Sequence, residues 1–479
     1  MTWLALTLYA AAAIVLGWLA RRRTQSGAAF WTAGRDLGAL SVGLSISAGF
    51  MSVSWSCVYA VQLFYWYGLG AIWLITIPWI ITLAGIWILA TRYHALAEFS
   101  QPEMVGRRFG DSSRKAVALA LGFVFTVWGG AEIYIAATLL APGLGVSIQS
   151  AIIGIGLIVA VYSTLGGFSA VVSTDKMQYA IVALYVVAMG WLAVRGMSSG
   201  GVRLFPDEGV SALKTGVSWR DLLSPGLPLI VMTFVAYLPG WLFETDLWLR
   251  VQGARDDRAA RRGVVIAMLN AFVFVGVLPM LIGITALELF PHTGGVSPAI
   301  LGNEGDAVFA ALVSTYAPAW LTALVAIGLI AAAMSTIDTC ANVVGLSIAY
   351  DMLRVHEKPD ADRASRVLTV IAVTLLCIFA LNTESLWDIF YLSGGVLTTA
   401  VAFPVAAIFA PSVSPRGVTA SSLFGLVGTI AAYFLGKAGL LASLEPSWLV
   451  ETGLGYVAWG IVAAVIGYIV LGMSGARQR

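Results

Sequence analysis

Runs of about twenty apolar residues follow one another along nearly the whole chain, and this restricts the fold more than any other feature. A helix needs roughly 18–20 such residues to cross the hydrocarbon of a bilayer. In that medium every backbone N–H and C=O must be paired within the protein. A transmembrane β-barrel would show short segments of alternating polarity instead. The pattern predicts an all-α polytopic membrane protein. Charge agrees: 59% of the 479 residues are hydrophobic and only 11% are charged, where soluble domains carry about a quarter. The three cysteines, Cys57, Cys340 and Cys377, fall inside apolar segments and read as packing thiols.

Thirteen spans are expected, at about 2–20, 39–62, 67–91, 115–141, 148–165, 176–196, 226–249, 263–290, 318–350, 366–382, 386–411, 418–436 and 447–472. Arg21, Arg22 and Arg23 follow the first, whereas a cleaved signal carries its charges ahead of its apolar core. It reads as a retained helix with its N-terminus outside. All but five of the 27 Lys and Arg then fall on the cytoplasmic side; the five are Arg195, Arg203, Lys214, Arg220 and Lys437. Such a bias fits the positive-inside rule. It places the chain in the inner (cytoplasmic) membrane with its C-terminus in the cytoplasm and lipid as its surroundings. The basic residues sit in short loops, which offers no surface to nucleic acid. Two outer loops are longer. Residues 196–225 carry Pro206, Asp207 and Glu208 and are expected to cover the outer surface. Residues 306–316 have the apolar spacing of a short helix across the mouth.

One apolar run is polar where it should not be. Residues 330–342 read IAAAMSTIDTCAN. Residues three and four apart share a helix face, so Ser335, Asp338 and Thr339 project together, one turn from Ala332. An ionisable group at such depth is costly unless it meets a cavity, a partner or an ion. Hydroxyl and carboxylate oxygens suit a hard cation. Two spans also look broken. The second has Gly43, Gly49 and six serines within residues 40–56, and the seventh has Pro239 and Gly240 at mid-depth. The two stand five spans apart, so five spans from 39 and five from 226 form halves of inverted orientation. Unwound segments at matching positions of such halves mark the binding site of a secondary transporter.

The chain also resembles the sodium:solute symporter family over about residues 30–411. The marks are Ala33-Gly34-Arg35-Asp36-Leu37, EFSQPEMVGRRFG at 98–110, YSTLGGFSAVVSTDKMQ at 162–178, Leu249-Arg250, and AAAMSTID at 331–338. The resemblance implies the LeuT-type fold, a 5+5 inverted repeat with one extra N-terminal and two extra C-terminal helices. Its parts would be 1–30 (extra helix and basic loop), 38–197 (core helices 1–5), 198–225 (extracellular loop), 226–411 (core helices 6–10) and 412–479 (two further helices). It implies sodium-coupled import of a small organic solute by alternating access. The sodium ligands it implies are the carbonyls of Ala48, Met51 and Ala332 and the hydroxyls of Ser335 and Thr336. The face reasoning alone prefers Thr339 to Thr336. Some members bind a second sodium, for which Asp175, Ser335, Asp338 and Thr339 are the candidates. Asp175 reads equally as the N-cap of its helix, and Asp338 as a partner of another helix or a proton carrier.

Solute-lining candidates are Phe50, Ser52 and Ser54 on the first core helix and Gln62 beyond it. Trp128 and Glu132 follow from the third, and Tyr237, Trp241 and Glu244 from the sixth. Glu132 lies past mid-depth and reads equally as a structural partner of another helix or as a solute contact, which would suggest an amine or other cationic group. Glu244 and Asp246, near Arg250, are expected in a solvated vestibule. No membrane-embedded Arg or Lys is expected to grip a carboxylate, although a half-helix N-terminus could. Phe50 stands where some family members place a polar or acidic residue, which closes any transfer of their specificity. Three rivals remain. An enzyme needs a metal cluster or nucleophile–base pair, yet His94, His292 and His356 lie in or beside loops and no HExxH or GxSxG occurs, so no enzyme is expected. A sensor would extend into a signalling domain. Proton coupling would run through Asp338 or Glu132.

Overall fold

The computed structural model describes residues 2–21, 27–199, 220–292, 296–301, 307–383 and 386–474. Arg22, Arg23, Asp306 and the loop segment holding Pro206, Asp207 and Glu208 lie outside these residues. The principal helices are α1 (Thr2–Ala20), α2 (Ala39–Phe50), α3 (Val53–Trp73), α4 (Thr76–His94), α5 (Asp111–Leu144), α6 (Ile148–Ser199), α7 (Leu227–Gln252) and α8 (Asp257–Leu289). After the short α9 (Val308–Tyr316) come α10 (Ala319–Gly345), α11 (Ala361–Leu381), α12 (Tyr391–Phe409), α13 (Pro415–Lys437) and α14 (Gly455–Ser474). The short helix expected at 306–316 is α9, and it packs on α3, α6 and α8.

Ten helices among the described residues are long and apolar enough to cross a membrane, eleven when α2 and α3 count as one bent span. The thirteen spans of the sequence reading differ from this in two places. The apolar part of α1 is short, Leu6–Ala20, and α6 is one element of 52 residues where the sequence reading has two spans. At about 1.5 Å per residue a straight helix of that length would run roughly 78 Å, far more than a bilayer's thickness. It does not run straight: Gly167 interrupts it with φ 52° and ψ −142°. A Cβ there would stand 2.2 Å from the Phe30 carbonyl oxygen, so only glycine fits this close approach. The second span also runs further than expected, to Trp73, and α4 begins only at Thr76.

Both breaks lie in the interior of their spans. α2 and α3 meet at 56° across Met51 and Ser52. Ser52 is extended (φ −74°, ψ 160°), and its hydroxyl accepts the Trp55 N–H at 2.9 Å, the N-cap that restarts the helix. In α7 the break falls later than Pro239-Gly240. Pro239 sits in the first turn of the helical piece Leu238–Leu242, where no N–H is needed. The chain leaves the helix at Phe243 and Glu244, and Glu244 is extended (φ −62°, ψ 115°) before Thr245–Gln252. Leu37 then joins the two halves: its N–H bonds to the Gly253 carbonyl (2.9 Å) and its carbonyl accepts the Arg255 N–H (3.0 Å).

Candidate cation and solute site

The break in the first core helix leaves carbonyls without their helical amides. A continuous helix would give the N–H groups of Val53, Ser54 and Trp55 to the carbonyls of Gly49, Phe50 and Met51. Here the Val53 and Ser54 N–H groups go to the two carboxylate oxygens of Glu132, at 2.7 and 3.0 Å. The Trp55 N–H goes to Ser52. Glu132, on α5 and fully buried, therefore holds the break open and caps the second half-helix. The sequence reading leaves it either facing the solute or paired with another helix. The structure turns it onto the backbone of another helix, because two buried amides at a helix N-terminus attract a carboxylate.

The polar turn of α10 faces these carbonyls. Ser335 Oγ donates toward the Ala48 oxygen at 2.8 Å and lies 3.0 Å from the Ala332 oxygen. Thr336 Oγ1 is 3.2 Å from the Gly49 oxygen and 3.5 Å from that of Ala332. Met51, just past the end of α2, is 1% exposed. The oxygens of Ala48, Gly49, Ala332, Ser335 and Thr336 thus converge between α2 and α10. They are uncharged, hard donors of the kind a monovalent hard cation takes.

The four residues considered for a second cation are arranged differently. Arg250 is wholly buried and reaches into the space beside them. Its Nε donates to Ser45 (2.7 Å), Nη1 to the Asp246 carbonyl (3.0 Å), and Nη2 to Thr339 (2.8 Å) and Asp175 (3.3 Å). Nη1 also lies 3.4 Å from Asp246 Oδ2, and Ser45 donates to Asp175. A fixed guanidinium already supplies the positive charge at Asp175 and Thr339. Asp175 is no N-cap either, since it lies inside α6. Asp338 turns to Tyr162 (2.7 Å) and Thr174 (3.4 Å). The expectation that no cationic side chain lies within the membrane is thereby corrected. Arg250 ends its span in sequence, but its long side chain runs back to the carboxylates.

A cavity of about 60 Å³ lies between the two breaks. Of the nine expected lining residues, Phe50, Ser52, Ser54, Trp128, Trp241 and Glu244 surround it. Glu132 does not, for the reason given, and neither does Gln62, which is buried elsewhere on α3. Tyr237 belongs to a neighbouring vestibule. Sequence reasoning missed Trp55, Trp79, Phe125 and Cys340 and assigned Asp246 and Thr339 other places, yet all six line the cavity. Glu244 and Asp246 are 8% and 5% exposed, buried rather than solvated. Thr336 lines the cavity as well as the carbonyl cluster, so the two share a wall. A vestibule of about 370 Å³ lies on the side away from Arg250, lined by Tyr59, Tyr67, Tyr237, Tyr391, Tyr433 and Tyr456. Tyr433 and Tyr456 come from α13 and α14, helices outside the ten-helix core.

A profile of the sodium:solute symporter family matches residues 30–425. The chain belongs to the sodium:solute symporter family. Among curated relatives, the sodium/glucose cotransporter of Vibrio parahaemolyticus is 25% identical over 309 residues, 59% of this chain and 56% of that one. The uncharacterized symporter YwcA of Bacillus subtilis is 23% identical over 452 residues, 91% of this chain and 84% of that one. This chain spans about half the length of the first-named relative and 28% of the human sodium/iodide cotransporter, to which it is 32% identical over 187 residues. The fold is similar to that of a Na⁺-coupled sialic acid symporter solved in a substrate-bound outward-open state. The TM-score is 0.72 with 18% identity, over 98% of this chain and 97% of that one. The architecture is therefore the LeuT-type fold, all-α and multi-pass.

Proposed function

We propose that this protein is a sodium-coupled symporter that imports a small organic solute by alternating access. The observation that carries the proposal is the oxygen cluster between the α2 break and the Ser335 turn of α10. Ser52 takes the amide that would close on the Met51 carbonyl, Glu132 holds the break open beside it, and the cluster shares a wall with the cavity through Thr336. The ligands are the carbonyls of Ala48, Met51 and Ala332 and the hydroxyls of Ser335 and Thr336. Their neutral charge suits an ion that must leave again in each cycle. The names of the relatives, cotransporters of sodium with glucose or iodide, support the coupling ion. One sodium ion is proposed per cycle, because Arg250 already supplies positive charge to Asp175 and Thr339, two of the four residues considered for a second.

Sodium bound across α2 and α10 would hold the two repeats in the form that exposes the cavity to the outside. Solute would complete closure over the tyrosine vestibule. At low internal sodium the bridge between Ala48 and Ser335 would loosen and the solute leave. One charge crossing is worth about 2.3 kcal/mol per 100 mV, and a tenfold sodium gradient adds about 1.4 kcal/mol. Together they support a few hundredfold accumulation of a neutral solute. The test is uptake of a labelled solute library into proteoliposomes under inward sodium or inward potassium gradients. Uptake that needs sodium is expected; equal uptake in both salts would end the proposal.

A further inference from the structure

The cavity between the breaks is mainly aromatic. Trp55, Trp79 and Trp241 form one corner, with ring centroids 5.4 Å apart for Trp55–Trp241, 6.0 Å for Trp79–Trp241 and 6.2 Å for Trp55–Trp79. Trp55 and Trp241 stand at 81° to each other. Phe50 packs 5.7 Å from Trp79, and Trp128 closes another side. Glu244 and Asp246 complete the lining. Asp246 gives Oδ2 to Arg250, and its buried Oδ1 has no hydrogen-bond partner. Two carboxylates, Asp175 and Asp246, share the single guanidinium of Arg250, and Glu244 lines the cavity beside them without an ion pair to it, so this end of the cavity is short of positive charge.

An anionic solute finds no free counterpart here. Arg250 has every donor committed, to Ser45, Asp246, Asp175 and Thr339. Of the two half-helix N-termini that could attract a carboxylate, one is capped by Glu132 at Val53 and Ser54, and the other already carries the acidic Asp246 in the first turn of Thr245–Gln252. A sugar would need many polar partners, whereas this lining is mostly ring. Indole faces do attract cations whose alkyl groups prevent ordinary hydrogen bonding, and more strongly once both are desolvated. The approach is of the same kind. The six vestibule tyrosines lead inward, with Tyr59 packed on Trp55 at 4.9 Å and Tyr237 stacked on Trp241 at 5.5 Å.

We propose that the solute carries an alkylated ammonium group, seated in the box of Trp55, Trp79, Trp128 and Trp241 and facing the Glu244–Asp246 carboxylates. This rests on the symport reading for the direction of transport, but the binding claim stands without it.

The test uses the purified full chain and its proteoliposomes. Tetramethylammonium chloride is titrated against tryptophan fluorescence, with potassium chloride as the ionic control. Choline and its uncharged carbon isostere 3,3-dimethyl-1-butanol are then compared as competitors. A saturable tetramethylammonium signal is expected, with choline competing at least about tenfold better than the isostere, as cation–π and carboxylate attraction require. Trp241→Ala should weaken tetramethylammonium at least about tenfold, and Trp241→Phe, which keeps a ring, less. Should Trp241→Ala fail to fold, Glu244→Gln carries the comparison and is expected to weaken choline more than the isostere. Equal competition by choline and isostere, or no saturable signal, overturns the proposal. A ²²Na⁺-binding arm separates the two readings. Sodium binding without ammonium binding sinks the aromatic-box proposal alone, and ammonium binding without sodium dependence of choline uptake sinks the symport reading alone.

Discussion

Replacing Glu132 by Gln should weaken sodium binding although Glu132 touches neither ion nor solute. The side chain spends both oxygens on backbone amides, Val53 at 2.7 Å and Ser54 at 3.0 Å. Glutamine is nearly isosteric but has one acceptor oxygen, so one of the two amides would face an NH₂ group. Leaving a buried donor unpaired costs about 1–3 kcal/mol. That cost falls on the open break and not on a straightened helix, in which Val53 and Ser54 would return to the carbonyls of Gly49 and Phe50. The binding-competent fraction therefore drops about 5- to 150-fold, and apparent sodium affinity drops with it. The assay is the sodium dependence of initial uptake in proteoliposomes, with a thermal melt of the purified variant to show that it folds. Glu132→Asp keeps the charge on a shorter arm and should lie between. A folded Glu132→Gln protein whose sodium half-saturation stays within about twofold of the parent would refute the capping argument.

Other consequences can be checked separately. Arg250→Lys cannot reach four partners from one ammonium. Breaking a buried ion pair costs about 3–5 kcal/mol, so its melting temperature and uptake should both fall sharply; an unchanged melt would show that the network is not needed. Gly167→Ala puts a Cβ against the Phe30 carbonyl at positive φ, so little folded protein should survive size exclusion, whereas Gly154→Ala, with open space around it, should be unaffected. Tyr456→Phe loses the 3.2 Å hydroxyl contact with Tyr237. It should alter solute half-saturation in uptake while leaving that for sodium in place, which separates the vestibule from the ion site.

Much of the architecture was legible because a bilayer reduces it to composition. Apolar length gave most spans, and the polar turn at Ser335 stood out because nothing else so deep in that run carries oxygen. The two broken spans were legible as well, but Pro239-Gly240 marked only the neighbourhood. Gly240 serves close packing, for its N–H bonds to Thr398 Oγ1 at 3.0 Å, and the break falls at Phe243 and Glu244. Rotation of a helix about its axis was not legible. Lipid and protein core are both apolar, so hydropathy cannot say that Trp79 faces the cavity or that Glu132 turns toward Val53. The reach of Arg250 was hidden for a related reason. A residue at a span's end in sequence reads as cytoplasmic, and only the carboxylates around Ser45 and Thr339 reveal where its guanidinium goes.

The most direct test of the ion site is equilibrium ²²Na⁺ binding to the purified protein, side by side with Ser335→Ala and Thr336→Ala. One saturable site per chain is predicted, weakened at least about tenfold in each variant, as expected when one of five oxygen ligands is lost. Undiminished binding in both variants, or two sites of equal strength, would contradict the sodium bridge between the α2 break and α10.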